Sequence, residues 1–117
     1  MLASMEIPLI NKTYEAYKAL IDINLHLEKQ WRYTLGYKCE GNILALMEQL
    51  IMAKYAPKNL KGAYLLKATA FLEILRLELR LMLEFKAVKN ETNIFKLQAA
   101  LEEIGRMLGG WLRSLEK

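Results

Sequence analysis

The chain has 117 residues, enough for one domain with a single core, and its 54% hydrophobic and 26% charged content exclude an intrinsically disordered segment. Charged residues break every apolar run well short of the ~18 needed to cross a bilayer. The start MLASMEIPL has no basic stretch or cleavage site of a secretory signal, and the single cysteine, Cys39, excludes an intrachain disulfide framework and fits a reducing cytoplasm. A balance of 17 basic to 13 acidic residues gives a net charge of +4, which permits a polyanionic partner without requiring one.

Apolar periodicity predicts four helices and no strand. The first runs from about residue 7 to 27, with Leu20, Ile23 and Leu27 on one stripe and Tyr14, Tyr17, Ile21 and Leu25 broadening it. The second runs from about 31 to 55, its core edge made by Leu35, Cys39, Leu46, Leu50 and Ala53. Gly36 and Gly41 weigh against its first half, since each costs about 1 kcal/mol relative to alanine in a helix interior. Pro57 lacks a backbone donor and pushes Ala56 out of helical geometry, so this helix ends near Tyr55. The third helix occupies about 58–87, after which Asn90 or Thr92 is the expected cap of the fourth, about 91–116. In that last helix the apolar residues, Trp111 central among them, occupy an arc of about 140°. Short connections between long helices imply antiparallel neighbours, so the expected fold is all-α: one up-down-up-down four-helix bundle spanning residues 1–117.

The most informative stretch is Phe71 to Phe85, FLEILRLELRLMLEF. On a helix its apolar side chains wrap about 240° of the circumference. Glu73, Arg76, Arg80 and Glu84 fill the remaining sector, and Glu78 stands alone among apolar neighbours. One neighbouring helix does not cover so wide an arc. The segment carrying Phe71, Leu75, Leu79 and Met82 is therefore expected to be packed by its own bundle on one side and by another subunit on the other, making the protein a homo-oligomer.

Catalytic chemistry finds little support, and no catalytic residue, metal site or cofactor is expected. His26, the one histidine, reads as a helix-end residue; Cys39 has no second Cys or His at metal-ligand spacing. Glu102 and Glu103 point about 100° apart on a helix and do not converge on one atom. Gly105, Gly109 and Gly110 lie inside a helical pattern rather than a phosphate loop. Gly105 and Gly109 flank the apolar stripe, where they would let another backbone approach closely.

Two readings of Arg76 and Arg80 stand open. They form an ion-pair ladder with Glu73 and Glu84 at i,i+3 and i,i+4 spacing, or they face a groove and bind phosphate, where arginine's planar fork is favoured. Supporting basic residues for the second reading are Lys54, Lys58 and Lys61 around the second turn, Lys67 further along, and Arg106, Arg113 and Lys117 towards the chain end. Trp31, Arg32 and Tyr33 suit either base stacking or packing at a helix junction.

The pattern Leu72-x-x-Leu75-Arg76-x-x-Leu79-Arg80, followed by Glu103-Ile104-Gly105-Arg106-Met107-Leu108-Gly109-Gly110-Trp111-Leu112, resembles the accessory variability determinants (Avd) of diversity-generating retroelements. These are siblings of the four-helix-bundle proteins encoded in ribosomal-RNA intervening sequences. Glu28-Lys29-Gln30-Trp31-Arg32-Tyr33-Thr34-Leu35-Gly36 is similar to that family's junction between its first two helices, and the resemblance covers about Tyr14 to Leu115. It implies a ring-shaped homopentamer with a basic channel, a noncatalytic role, and binding of a reverse transcriptase and of RNA or DNA during mutagenic copying. Arg76 and Arg80 match the paired third-helix arginines linked to that activity. The segment Met47-Glu48-Gln49-Leu50-Ile51-Met52-Ala53 departs from the small-residue end of the second helix common in the intervening-sequence branch, which favours the retroelement branch. The alternative is an intervening-sequence-type interaction protein without nucleic-acid contact.

Overall fold

Caps and breakers decide where each helix of this chain starts and stops. In a computed structural model, residues 2–116 are described, with side chains from Glu6 onward, and they form four long helices with no strand. The first, α1, is Leu2–Leu25. The second, α2, is a continuous run of an α-helical turn Lys29–Trp31, a π-helical stretch Arg32–Gly36 and an α-helix Tyr37–Tyr55. The third, α3, is Lys58–Glu84, and the fourth, α4, is Glu91–Ser114.

Pro57 ends α2 as expected, with Ala56 in extended geometry and Pro57 standing at the N-cap of α3. Of the two cap candidates for α4, Asn90 serves: its side chain accepts from the Thr92 backbone N–H at 3.1 Å. Other boundaries differ from the sequence reading. α1 begins at Leu2, five residues before the expected start, with Pro8 inside it. A proline this close to a helix start removes one hydrogen bond, and Leu9 beside it is buried in the core. α2 begins at Lys29 rather than Trp31, and α4 ends at Ser114 rather than 116.

α3 stops at Glu84, three residues short of the expected end. Lys86 turns the chain with φ 54°, while Lys86 N–H donates to Leu83 C=O at 3.1 Å and Ala87 N–H to Met82 C=O at 2.9 Å. This is a Schellman closure, and buried Ala87 against buried Met82 supplies its apolar contact.

Each helix packs on its neighbours in the chain, and α1 closes on α4, giving a body of 46 × 21 × 20 Å. Between α2 and α3, Trp31 stacks on Phe85 with centroids 5.5 Å apart, Asn42 meets Glu78, and Lys61 reaches the carbonyls of Ala53 and Lys54. The core is aliphatic, drawn from all four helices, with Leu20, Leu46, Leu75, Leu79, Ile94 and Trp111 fully enclosed.

Candidate nucleic-acid and assembly surfaces

The arginines of α3 sit on its border with α4. Arg76 Nη1 lies 3.6 Å from Glu73 Oε1, and Arg80 Nε donates to Glu84 Oε2 at 3.1 Å. Both pairs have the spacing of the ion-pair ladder, and both are well exposed, so each contributes about 0–1 kcal/mol. An open groove of about 520 Å³ lies beside them, lined by Leu77 of α3 and by Phe95, Gln98, Ala99 and Glu102 of α4. Arg106 faces the same border. Its Nη1 meets Glu102 Oε1 at 3.1 Å, its Nε meets Glu103 Oε2 at 3.0 Å, and its Nη2 also contacts Glu103. The Glu103 hydrogen bond and charge raise the Arg106 pKa further above its ordinary value. Three arginines against four glutamates leave this strip with no positive surplus.

The lysines lie elsewhere. Lys61 Nζ donates to Ala53 O at 2.7 Å and Lys54 O at 2.9 Å, so its charge closes the carbonyl end of α2. Lys54 lies 5.2 Å from the Tyr55 ring centroid and Lys67 lies 6.0 Å from that of Tyr64. Lys58 is exposed in the first turn of α3. From residue 49 to 72 the chain carries these four lysines and no acidic residue, so this stretch, unlike the arginine strip, has a net positive charge. Arg113 is exposed in the last turn of α4, and Lys117 lies outside the described residues. The predicted basic residues therefore divide between a neutralised arginine border and a lysine-rich turn.

The predicted packing residues mostly face inward. Leu75, Leu79, Met82 and Trp111 are buried, and Phe71 packs half-buried against the core. Gly105 admits a side chain rather than a backbone: a Cβ there would meet Leu72 Cδ2 at 3.4 Å, and one on Gly109 would meet Arg113 Nη1 at 3.3 Å. The remaining part of the wide apolar arc of α3 faces solvent, where Leu66 and Leu77 are 63% and 56% exposed alongside Ile74, Leu81 and Phe85.

Sequence reading missed three polar arrangements. Arg32 donates from Nε to Asn24 O at 3.2 Å and from Nη2 to the carbonyls of Leu25 and Leu27 at 3.1 Å, closing the end of α1. The buried Asn24 amide donates to Gly36 O at 3.0 Å and Glu40 Oε2 at 2.6 Å, pinning the π-helical stretch. Buried Glu78 accepts from Asn42, and burial together with Glu78 pushes the Cys39 thiol well above its usual range. Isolated polar letters were the available signal, but the partners of Arg32 lie 5–8 residues away across a chain reversal, and those of Asn24 and Glu78 lie 12–36 residues away on another helix. Among the described residues, no group of three or more His, Cys, Asp and Glu side chains is placed to hold a metal ion, and no helix is long and apolar enough to cross a membrane.

No protein-family model, curated protein or solved structure matches the chain.

Proposed function

We propose that this chain is a noncatalytic accessory factor of a diversity-generating retroelement: an up-down-up-down four-helix bundle that assembles into a cytoplasmic ring, with a pentamer favoured. In this reading the ring holds the element's reverse transcriptase and nucleic acid through a basic surface during mutagenic copying. The observation that carries the assembly is the aliphatic strip left in solvent on α3, continuous with a helix whose other side is fully buried. The acid-free lysine stretch, residues 49–72, supports the nucleic-acid contact. Lysines that neutralise phosphates release counterions without reading base identity, and a ring repeats a weak patch so that effective concentration raises the total affinity.

Two measurements test this reading. Light scattering at micromolar protein should give a mass several times 13.6 kDa. Labelled single-stranded RNA and DNA should bind with a steep salt dependence, and Lys54→Ala with Lys67→Ala should flatten the slope of log affinity against log salt by about 0.7 per lost phosphate contact. A monomer, or no binding at low salt, would overturn it.

The pairing of Arg76, Arg80 and Arg106 with glutamates favours a second reading, an intervening-sequence-type interaction protein without nucleic-acid binding. Arg76→Ala with Arg80→Ala separates the two. Weakened binding by a still-assembled protein supports the retroelement reading at these arginines; unchanged binding returns them to surface ion pairs.

A further inference from the structure

Most of the large apolar side chains left in solvent fall on two separate strips. One is the ridge along α3, from Leu66 through Ile74, Leu77 and Leu81 to Phe85. The second spans α1 and α2. Its orientation follows from the 2.6 Å bond between Asn24 and Glu40, which marks the sides of the two helices turned to each other. At roughly 100° per residue, exposed Tyr37, Leu44, Ile51 and Tyr55 lie about 20–60° round α2 from Glu40, on the side away from buried Ile43 and Leu46. Exposed Ile7, Tyr14 and Leu25 lie about 80–100° round α1 from Asn24, away from buried Leu20 and Ile23. The short link between Leu25 and Lys29 folds the chain back, so both sets share one outer face.

The two strips match in length and differ in chemistry. Leu66 to Phe85 spans about 28 Å of helix and Tyr37 to Tyr55 about 27 Å. The ridge is aliphatic with one terminal phenylalanine, whereas the α1–α2 face carries three exposed tyrosines, a residue enriched where proteins meet. Ridge and face together expose on the order of 1,500 Å² of side-chain surface, close to the ~1,600 Å² total of a stable interface between two proteins. Ridge on face covers both strips with one kind of contact, whereas two ridges leave the tyrosine face in water and two faces leave the ridge in water.

We propose that the α3 ridge of one copy lies on the α1–α2 face of the next, so that each copy donates one surface and receives the other. Such a heterologous contact closes into a ring when its rotation divides the circle. The inference rests on the proposed self-assembly and names the two surfaces that make it.

Complementation tests it. A ridge variant, Leu77→Asp with Leu81→Asp, and a face variant, Tyr37→Asp with Leu44→Asp, alter exposed side chains only, and circular dichroism should show unchanged helix content. By light scattering each variant alone should be a monomer of 13.6 kDa. Their equimolar mixture should form a dimer and nothing larger, because one intact ridge and one intact face remain. The gentler pair Leu77→Ser and Leu81→Ser should give the same ordering if the aspartates cost helix content. Undiminished assembly by either variant alone, or a mixture that stays monomeric, overturns the pairing. A monomeric wild type would remove the assembly reading as well, whereas an oligomeric wild type with indifferent variants removes this pairing alone.

Discussion

The side-chain amide of Asn42 on α2 donates a 2.7 Å hydrogen bond to the carboxylate of Glu78 on α3, joining residues 36 positions apart. Glu78 is only 8% exposed, and burial together with the charge of this carboxylate raises the Cys39 thiol above its ordinary range. A buried carboxylate depends on such donors, because hydration is no longer there to stabilise it. Asn42→Ala should therefore cost about 1.5–3 kcal/mol in urea denaturation. Adding Glu78→Leu should recover most of the loss, since the group left without its donor is then gone. A single-variant cost below about 0.5 kcal/mol would mean that the carboxylate is hydrated after all.

Two glycines of α2 should respond to alanine with opposite signs. A Cβ on Gly36 would sit 3.0 Å from Asn24 Oδ1 and 3.1 Å from Leu27 Cδ1, whereas one on Gly41 meets nothing within 4 Å. Gly41→Ala should stabilise the protein by about 0.5–1 kcal/mol through helix propensity alone. Gly36→Ala should destabilise it by about 1–3 kcal/mol, because Asn24 must shift and loosen its bonds to Gly36 O and Glu40. Thermal melts of the two variants give the comparison directly.

Lys86 occupies the left-handed region at φ 54°, at the position after a helix end where glycine is the usual residue. A side chain there costs about 1–2 kcal/mol that glycine avoids. Lys86→Gly should accordingly raise stability by about 1 kcal/mol, less than the full penalty because glycine also gains freedom in the unfolded chain. A fall in the denaturation midpoint would show that the lysine side chain contributes more than its backbone costs.

Trp111 is fully enclosed, and among the described residues its indole Nε1 finds no hydrogen-bond partner. Trp111→Ala should cost about 3–5 kcal/mol by leaving a cavity the core cannot collapse into. Trp111→Phe should cost only about 1 kcal/mol, since the lost volume is partly offset by removing an unpaired buried donor. Equal losses in the two variants would indicate that the indole N–H is satisfied in solution.

Local chemistry made much of the fold legible. Pro57 has no donor to continue a helix, Asn90 offers an oxygen to an unpaired N–H, and the apolar stripe of α4 names its buried face, Ile94, Leu97, Leu101, Ile104, Leu108 and Trp111. These features depend on residues within one or two turns of each other. The end of α3 was read three residues too far because a lysine, Lys86, and not a glycine takes the left-handed position that closes it. Asn24, reaching from α1 to support the π-helical stretch of α2, acts from outside the segment.

The candidate site was legible as a set of charges and not as a balance of them. By itself the sequence determined that α3 is apolar around most of its circumference, that Arg76 and Arg80 share its narrow polar sector, and that lysines crowd the turn before it. Only the tertiary structure decided that Lys61 and Arg32 are committed to helix-end carbonyls and that the outer part of the α3 arc stays uncovered. The reason is geometric. A helical period states which direction each side chain takes from its own axis, whereas partners and burial depend on what other helices bring to that direction, and those helices are joined to it only through packing.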